Sequence, residues 1–482
     1  MAYKHGVYTS EAATSIVAPI TGTAGLIVAV GTAPVNMVAD PKANTPIIAY
    51  SYKEAVEAVG FSNDFEKYTL CDAISACFQV AGTGPIILIN VLDPANTKFT
   101  ADITTTTAVV TGGIANVGES GILVDKLVVK KDASTTLVKG TDYSTVWNDD
   151  GTLSIILSEN EKTKELKSLT LSGKKLDPST VKAADIVGGV DSNTGTETGI
   201  EVVRQVFPKL NMVPGIIIAP RFSADPMVSA ALQAKTNALN GSFSSTCIID
   251  VDSSSTGAKK YADVKMKKET QGLTSQNAYA VWLYGKIGKT IYSGSSLAAA
   301  LTAYTDAVNN DTPNVSPSNK TISITSACLA DGTDVLLDRE QANVVNSFGV
   351  ATWLNMNGFR LWGNNTAAYP GVTDPKNRWF SVRRFMTWAA NTFILTYSQK
   401  VDDPGNPRLI EAIVDSENIR GNGFVSRGIC ARYEITYDAE ENASAEDGHV
   451  IFHQYMTPYG PAEVIQDVIE YDPEALKNAL SA

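Results

Sequence analysis

Cysteine is sparse and poorly placed for chemistry. The five cysteines (Cys71, Cys77, Cys247, Cys328 and Cys430) contain no CxxC pair, which fits a reducing compartment and neither a disulfide framework nor a zinc site. Cys71 and Cys77 share one expected helix, but their spacing does not stack them on one face. Histidine is scarcer still, with only His5, His449 and His453. Positive charge is in deficit: the formal net charge of −12 works against a general affinity for nucleic-acid phosphates. Long apolar runs are missing too. The strongest, "GLIVAV", "PIILINVL" and "PGIIIAP", are strand-length and too short to cross a bilayer. The opening "MAYKHGVYTSEAATSIVAPITG" lacks the basic-then-apolar layout of a cleavable signal, so the chain is expected in the cytoplasm when made, with no membrane partner.

Catalytic signatures fail one by one. "GKIGKT" (Gly285 to Thr290) echoes a phosphate-binding loop, but counting back from Gly288 puts Leu283 where the first glycine is required, so a turn after a strand is expected. "AGTGPI" and "GNGFVSRG" lack the third glycine of the dinucleotide fingerprint. No GxSxG elbow occurs. His449 and His453 have metal-ligand spacing for a helix, yet "HVIFHQYM" reads as a strand, where such residues lie too far apart for easy chelation. "WNDDGTLS" carries Val146 at the first ligand position of a calcium loop, and reads instead as a hairpin. The densest basic run, Lys259 to Lys268, has only Tyr261 among its lysines for aromatic stacking and is read as a solvated helix face. No cofactor and no metal is expected.

What is present is a globular composition, 44% hydrophobic and 19% charged over 482 residues, enough for several domains. "AGLIVAVG" reads as a buried strand. A helix fits "SYKEAVEAVG", capped by Ser51 and stopped by Gly60. A second helix fits "YTLCDAISACFQVAG", and the strand "PIILINVL" follows. This order predicts an α/β (α+β) core with a mixed sheet covered by helices. From Ala95 the composition shifts to Thr, Val and Ser, with Asp150-Gly151 between β-prone flanks, a hairpin signal. The α/β pattern resumes with "GIEVVRQVFPKL", "PGIIIAP", "PMVSAALQAKTNALNG", "TCIIDV", "YAVWLYG" and "SLAAALTAYTDAVNN". The expected divisions are an arm over 1–20, a core over 21–96 and 197–336, a β-rich insertion over 97–196, a third part over 337–460 and a second arm over 461–482. The third part ends in two strands, "CARYEITYD" and "HVIFHQYMTP".

The stretch "NRWFSVRRFMTWAANTFIL", residues 377–395, carries two faces. At helical spacing Val382, Phe385, Met386, Ala389 and Phe393 form a core face. Phe380, Arg384, Trp388 and Leu395 gather opposite, with Arg384 and Trp388 placed to stack. That second face needs a cover. Either a partner supplies it, since Arg and Trp are enriched at protein contacts, or the chain's own domain does.

Here the chain resembles a family. "HGVYTSEA" and "TGTAGLIVAVGTAP", then "SPSNKTI", "LDREQANVVNSFGVAT", "NGFRLWGNNTAAYPG", "RWFSVRRFMTWAANTFI" and "GPAEVIQDVIEYD" are similar, in order and spacing, to segments of the tail sheath proteins of contractile phage tails and related injection particles. The resemblance covers both ends and most of residues 200–482, while 97–196 falls where that family carries a variable domain. It implies a structural subunit, not an enzyme. Such subunits polymerise with copies of themselves around an inner tail tube protein, engage baseplate and tail terminator proteins, and contract by rearrangement without nucleotide hydrolysis. They assemble in the host bacterial cytoplasm and end in a virion or phage-tail-like particle. It further implies that the insertion faces outward, that Arg383, Arg384 and Trp388 face the tube, and that Val7, Tyr8, Val464, Ile465, Val468 and Ile469 lie on arms that add strands to neighbouring subunits. The alternatives are another self-assembling structural protein, such as a capsid component, and an α/β enzyme of unassigned chemistry.

Overall fold

The computed structural model describes residues 23–148, 150–237, 239–442 and 448–481. Strand β1 (Ile27–Gly31) is buried at every position, so both of its faces are covered, as its unbroken run of apolar residues requires. After β2 (Ile47–Ala49) comes helix α1 (Tyr52–Val59), whose first turn is capped by the Ser51 hydroxyl accepting the Glu54 amide. It stops at Gly60, where φ is +77° and a Cβ would sit 2.4 Å from the Pro34 carbonyl oxygen, so only glycine fits. Helix α2 (Thr69–Ser75) is wholly buried and runs on through a π-helical stretch to Ala81. Strand β3 (Ile86–Asn90) is again buried throughout.

The chain then leaves this layer on β4 (Thr100–Asp102) and returns on β11 (Lys174–Leu176), the two pairing antiparallel with Asp102 opposite Lys174. Between them β5 (Thr107–Thr111), β6 (Ile114–Ser120), β7 (Val128–Lys130), β8 (Tyr143–Trp147), β9 (Thr152–Leu157) and β10 (Ser168–Ser172) form one antiparallel sheet in the order β7-β10-β5-β6-β9-β8. Alternation decides its faces: Ala115, Val117, Leu153, Ile155, Leu169 and Leu171 build a separate small core, while Val109, Ile114 and Ile156 point to solvent. The Asp150-Gly151 signal falls in the loop of the β8–β9 hairpin, with Trp147 opposite Leu153.

Residues after β11 pack on the larger body: Val181, and Ile186 on helix α3 (Ala183–Val187), join the main core. A ribbon of β12 (Gly189–Val190) and β13 (Glu197–Thr198) precedes α4 (Val206–Leu210). Then β14 (Ile216–Ile218), α5 (Pro226–Lys235), β15 (Thr246–Asp250), α6 (Val264–Thr270) and β16 (Ala278–Val281) alternate. A small antiparallel sheet in the order β18-β17-β19, of β17 (Tyr284–Ile287), β18 (Thr290–Tyr292) and β19 (Ser326–Cys328), has the largely buried helix α7 (Gly294–Val308) between its last two strands in sequence. Helix α8 (Arg339–Ser347), β20 (Val350–Asn355) and β21 (Phe359–Trp362) complete the sheet. Its order is β2-β3-β1-β14-β15-β16-β20-β21. The inner strands run parallel, and β2 and β21 lie antiparallel at the two edges. This is the mixed, helix-covered sheet expected from the sequence, because parallel neighbours need crossover segments and those segments are the amphipathic runs between strands.

The last part is α9 (Pro375–Arg378), α10 (Phe380–Tyr397), α11 (Pro407–Ser426), a two-stranded ribbon of β22 (Cys430–Thr436) and β23 (His453–Pro458), and α12 (Pro473–Leu480). Phe385, Trp388, Phe424 and Tyr433 form a core of their own, which Ala24 joins from the other end of the chain.

Candidate functional site

Helix α10 occupies the centre of the arginine-rich stretch. Its expected core face holds: Val382, Phe385 and Ala389 are buried, and Met386 and Phe393 half-buried. The second face is covered by the chain itself. Arg384 is 3% exposed. Its Nη1 donates to Asp306 Oδ1 at 2.9 Å and its Nη2 donates to the Ala24 carbonyl at 2.9 Å and also to Asp306 Oδ2. Burial pushes the Asp306 carboxyl above the usual carboxylate range, and the Arg384 charge opposes that push. Losing one member of such a pair strands a buried charge, at a cost of about 3–5 kcal/mol. Trp388 packs against Phe385 and Phe424, with ring centroids 5.6 and 5.7 Å apart.

Arg384 and Trp388, expected to face a tube, are both buried inside the subunit. Arg383 differs. It is half-buried, its Nη1 reaches Asn377 Oδ1 at 3.4 Å, and its Nε has no hydrogen-bond partner among the described residues. Burial pulls its guanidinium below the ordinary arginine value.

A third arginine, not singled out in the sequence, joins the carboxyl-terminal segment to the body. Arg378 donates from Nε to Asn365 Oδ1 at 2.9 Å and from Nη2 to Glu463 Oε2 at 2.8 Å. Its guanidinium lies 3.9 Å from the Trp379 ring centroid and 4.6 Å from that of Tyr369. Its signal in the sequence is the aromatic pair Trp379-Phe380 that follows it.

The chain ends complete the picture. Val7 and Tyr8, and His5 with them, lie outside the described residues. Val464, Ile465, Val468 and Ile469 are 81%, 89%, 67% and 90% exposed, on a segment with neither helix nor strand from 459 to 472. Nearby, β22 and β23 each have one partner strand among the described residues; Asn418 of α11 takes the Ile435 amide and carbonyl on the outer edge of β22, so the main-chain edge left to a further strand is that of β23. Its inner side is tight: a Cβ on Gly421 would lie 2.4 Å from the Tyr433 ring.

The remaining candidates resolve simply. "GKIGKT" is the β17–β18 hairpin, with Ile287 opposite Thr290 and Gly288 at φ +60°, the glycine-first form of a two-residue loop. His453 begins β23 and pairs with Glu441, whereas His449 precedes the strand rather than lying in it. The basic run is corrected in part: Lys267 pairs with Asp252 at 2.7 Å, and Lys268 points inward to the Phe348 and Tyr369 carbonyls, both at 2.6 Å. All five cysteines are buried and free, and burial pushes the Cys71 and Cys77 thiols up to about 12. Among the described residues no cluster of three or more His, Cys, Asp or Glu is arranged for a metal ion, and no helix is long and apolar enough to cross a membrane.

No protein-family model matches the chain. Over 493 aligned positions it is 28% identical to the tail sheath protein of Burkholderia phage BcepMu, and the match spans 98% of both chains. The chain is similar to tail sheath proteins along its whole length. The tail sheath protein of Escherichia phage P2 is 30% identical over 127 residues, which is 25% of this chain and 30% of that one. The same fold recurs in a structure of the anti-feeding prophage helical sheath in its contracted state (TM-score 0.56, 14% identity, 98% of this chain and 100% of that chain). It recurs again in the sheath complex of an extracellular contractile injection system, PVC, also contracted (TM-score 0.56, 12% identity, 98% and 99%). In this chain the geometry offers two exposed features: a solvated carboxyl-terminal segment that carries four exposed aliphatic side chains and a short ribbon whose β23 edge has no partner strand among the described residues.

Proposed function

We propose that the protein is the structural subunit of a contractile tail sheath, polymerising around an inner tube and shortening by subunit rearrangement to drive that tube through a cell envelope. The observation that carries this reading is the carboxyl-terminal segment. Val464, Ile465, Val468 and Ile469 stand in solvent on a chain matched end to end by a tail sheath protein. A run of exposed aliphatic side chains marks an interaction surface. The β23 edge of the ribbon offers the acceptor, since an extended segment pairs with a sheet edge through main-chain hydrogen bonds, and alternate side chains set the register. Each bond contributes about 0.5–1.5 kcal/mol net, so several per subunit hold a lattice whose bodies still rotate.

Contraction in this reading releases energy stored in a metastable packing and needs no nucleotide. The failed phosphate motif agrees with that: "GKIGKT" forms a hairpin, not a loop over a helix N-terminus. Partners are identical copies, an inner tube protein, and baseplate and terminator proteins at the ends. Assembly belongs to the host bacterial cytoplasm, and the product to a virion or phage-tail-like particle. Of the residues expected at the tube, Arg383 alone keeps solvent access, so Arg383→Glu should weaken co-sedimentation with tube protein. The deciding test is removal of residues 462–482. The shortened chain should melt like the full one yet form no cylinders in negative-stain micrographs, and cylinders of normal length from it would sink the arm assignment. Closed shells from the full chain would favour a capsid-like polymer instead.

A further inference from the structure

Residues 23–25, the first described, and residues 459–463 both pack beside one short stretch, residues 378–388. On the amino-terminal side, the Thr23 hydroxyl donates to the Val213 carbonyl at 2.7 Å and the Ala24 carbonyl accepts Arg384 Nη2 at 2.9 Å. Gly25 is pressed onto α7, where a Cβ would sit 3.4 Å from both Ala303 Cα and Asp306 Oδ2. Strand β1 begins at once, at Ile27. On the carboxyl-terminal side, the Tyr459 amide donates to the Ile429 carbonyl at 3.2 Å. Gly460 then lies against the Trp379 indole, where a Cβ would meet ring atoms at 3.4 Å, and Glu463 binds Arg378 at 2.8 Å. From Val464 to Tyr471 every residue is exposed.

The two attachments differ in kind. Arg384 and Asp306 are each 2% exposed at the side chain, whereas Arg378 and Glu463 are 23% and 38% exposed. A buried bidentate guanidinium holds one geometry and ignores salt, while a half-exposed pair opens easily and is screened. We propose that the first turns of α10, with Arg378 just before them, are the common mount of both arms: Arg384 a permanent anchor for the amino-terminal root and Arg378 a releasable latch for the carboxyl-terminal one. The carboxyl-terminal arm then swings about Gly460 when the latch opens, and tension from a neighbouring copy enters the body through one helix. Arg384 and Arg378 are positioning residues in this scheme. It rests on the arm reading above, as a statement about how those arms are held.

The test uses the full chain. Arg378→Glu should speed amide exchange over residues 459–463 by about tenfold, leave residues 24–27 unchanged, and destabilise cylinders. Adding Glu463→Arg should restore both exchange and cylinders, which a residue with only a packing role would not do. For the anchor, Arg384→Met with Asp306→Leu removes both charges together. It should keep the melting transition while exchange at residues 24–27 rises and cylinders fail. If that pair does not fold, Arg384→Lys, which keeps the charge and loses the fork, should raise exchange at the same residues. Unchanged exchange at both roots overturns the mount, whatever the cylinders do. Faster exchange with cylinders of normal length and contraction also overturns it, provided that the chain lacking 462–482 fails to assemble. If that shortened chain does assemble, the arm reading has failed, and unaltered exchange alone then judges the mount.

Discussion

Lys268 shows how a single residue departs from its neighbours. In a run of lysines it reads as solvated, yet its ammonium is buried and donates to the Phe348 and Tyr369 carbonyls. Burial pulls it down to about 8. The fit is close: a Cβ on Gly349 would lie 3.0 Å from Lys268 Nζ. Lys268→Met should fill similar space but orphan two buried carbonyls, costing about 1–3 kcal/mol in the urea-unfolding free energy, whereas exposed Lys265 should tolerate the same change. Nothing in the local sequence separates the two, because the cover arrives from residues 80 and 101 positions later. Arg384 repeats the lesson over a longer span, with partners 78 and 360 positions away.

Elements were more legible than contacts. Ser51 and Gly60 bound α1, and the unbroken apolar runs became buried parallel strands, since cap chemistry and side-chain period act over a few residues. The helix over 380–397 was legible too, but not what covers its second face. Junctions between elements were the hardest to read. Glu119, at the end of β6, binds Lys175 of β11 at 2.6 Å and accepts the Thr105 amide. Burial pushes Glu119 up, but the Lys175 ammonium and the Thr105 donors outweigh it and hold the carboxyl at about 2. A folded carboxylate below its unfolded value of 4.5 means that the unfolded chain binds more protons between those values, so stability rises with pH there. The insertion should therefore loosen as pH falls from 4.5 toward 2, followed by fluorescence of Trp147, and Glu119→Gln should flatten that dependence. A profile identical in the variant would show that this junction does not carry the effect.

For the whole molecule, the insertion and the body meet at a ribbon whose ends are neighbours. Asp102 faces Lys174, with their side chains 2.8 Å apart, so replacing residues 103–173 by Asn-Gly should close a two-residue hairpin. The body loses Leu123, which sits in its core, and the cavity costs about 2–3 kcal/mol. A folded protein with a lower melting temperature is expected, still able to form cylinders because both arms root elsewhere. Loss of cylinders from a chain that folds would place an assembly contact in the insertion.

The sequence alone determined the alternation of strands and helices, the β-rich character of the middle of the chain and the likeness to tail sheath proteins, because each rests on short-range period or on ordered motifs that survive without coordinates. Only the tertiary structure decided which charges face inward and where the two ends are held. A buried arginine or lysine looks like an exposed one until its partners are in place, and for Arg384 and Lys268 those partners come from segments that meet only after the chain has folded.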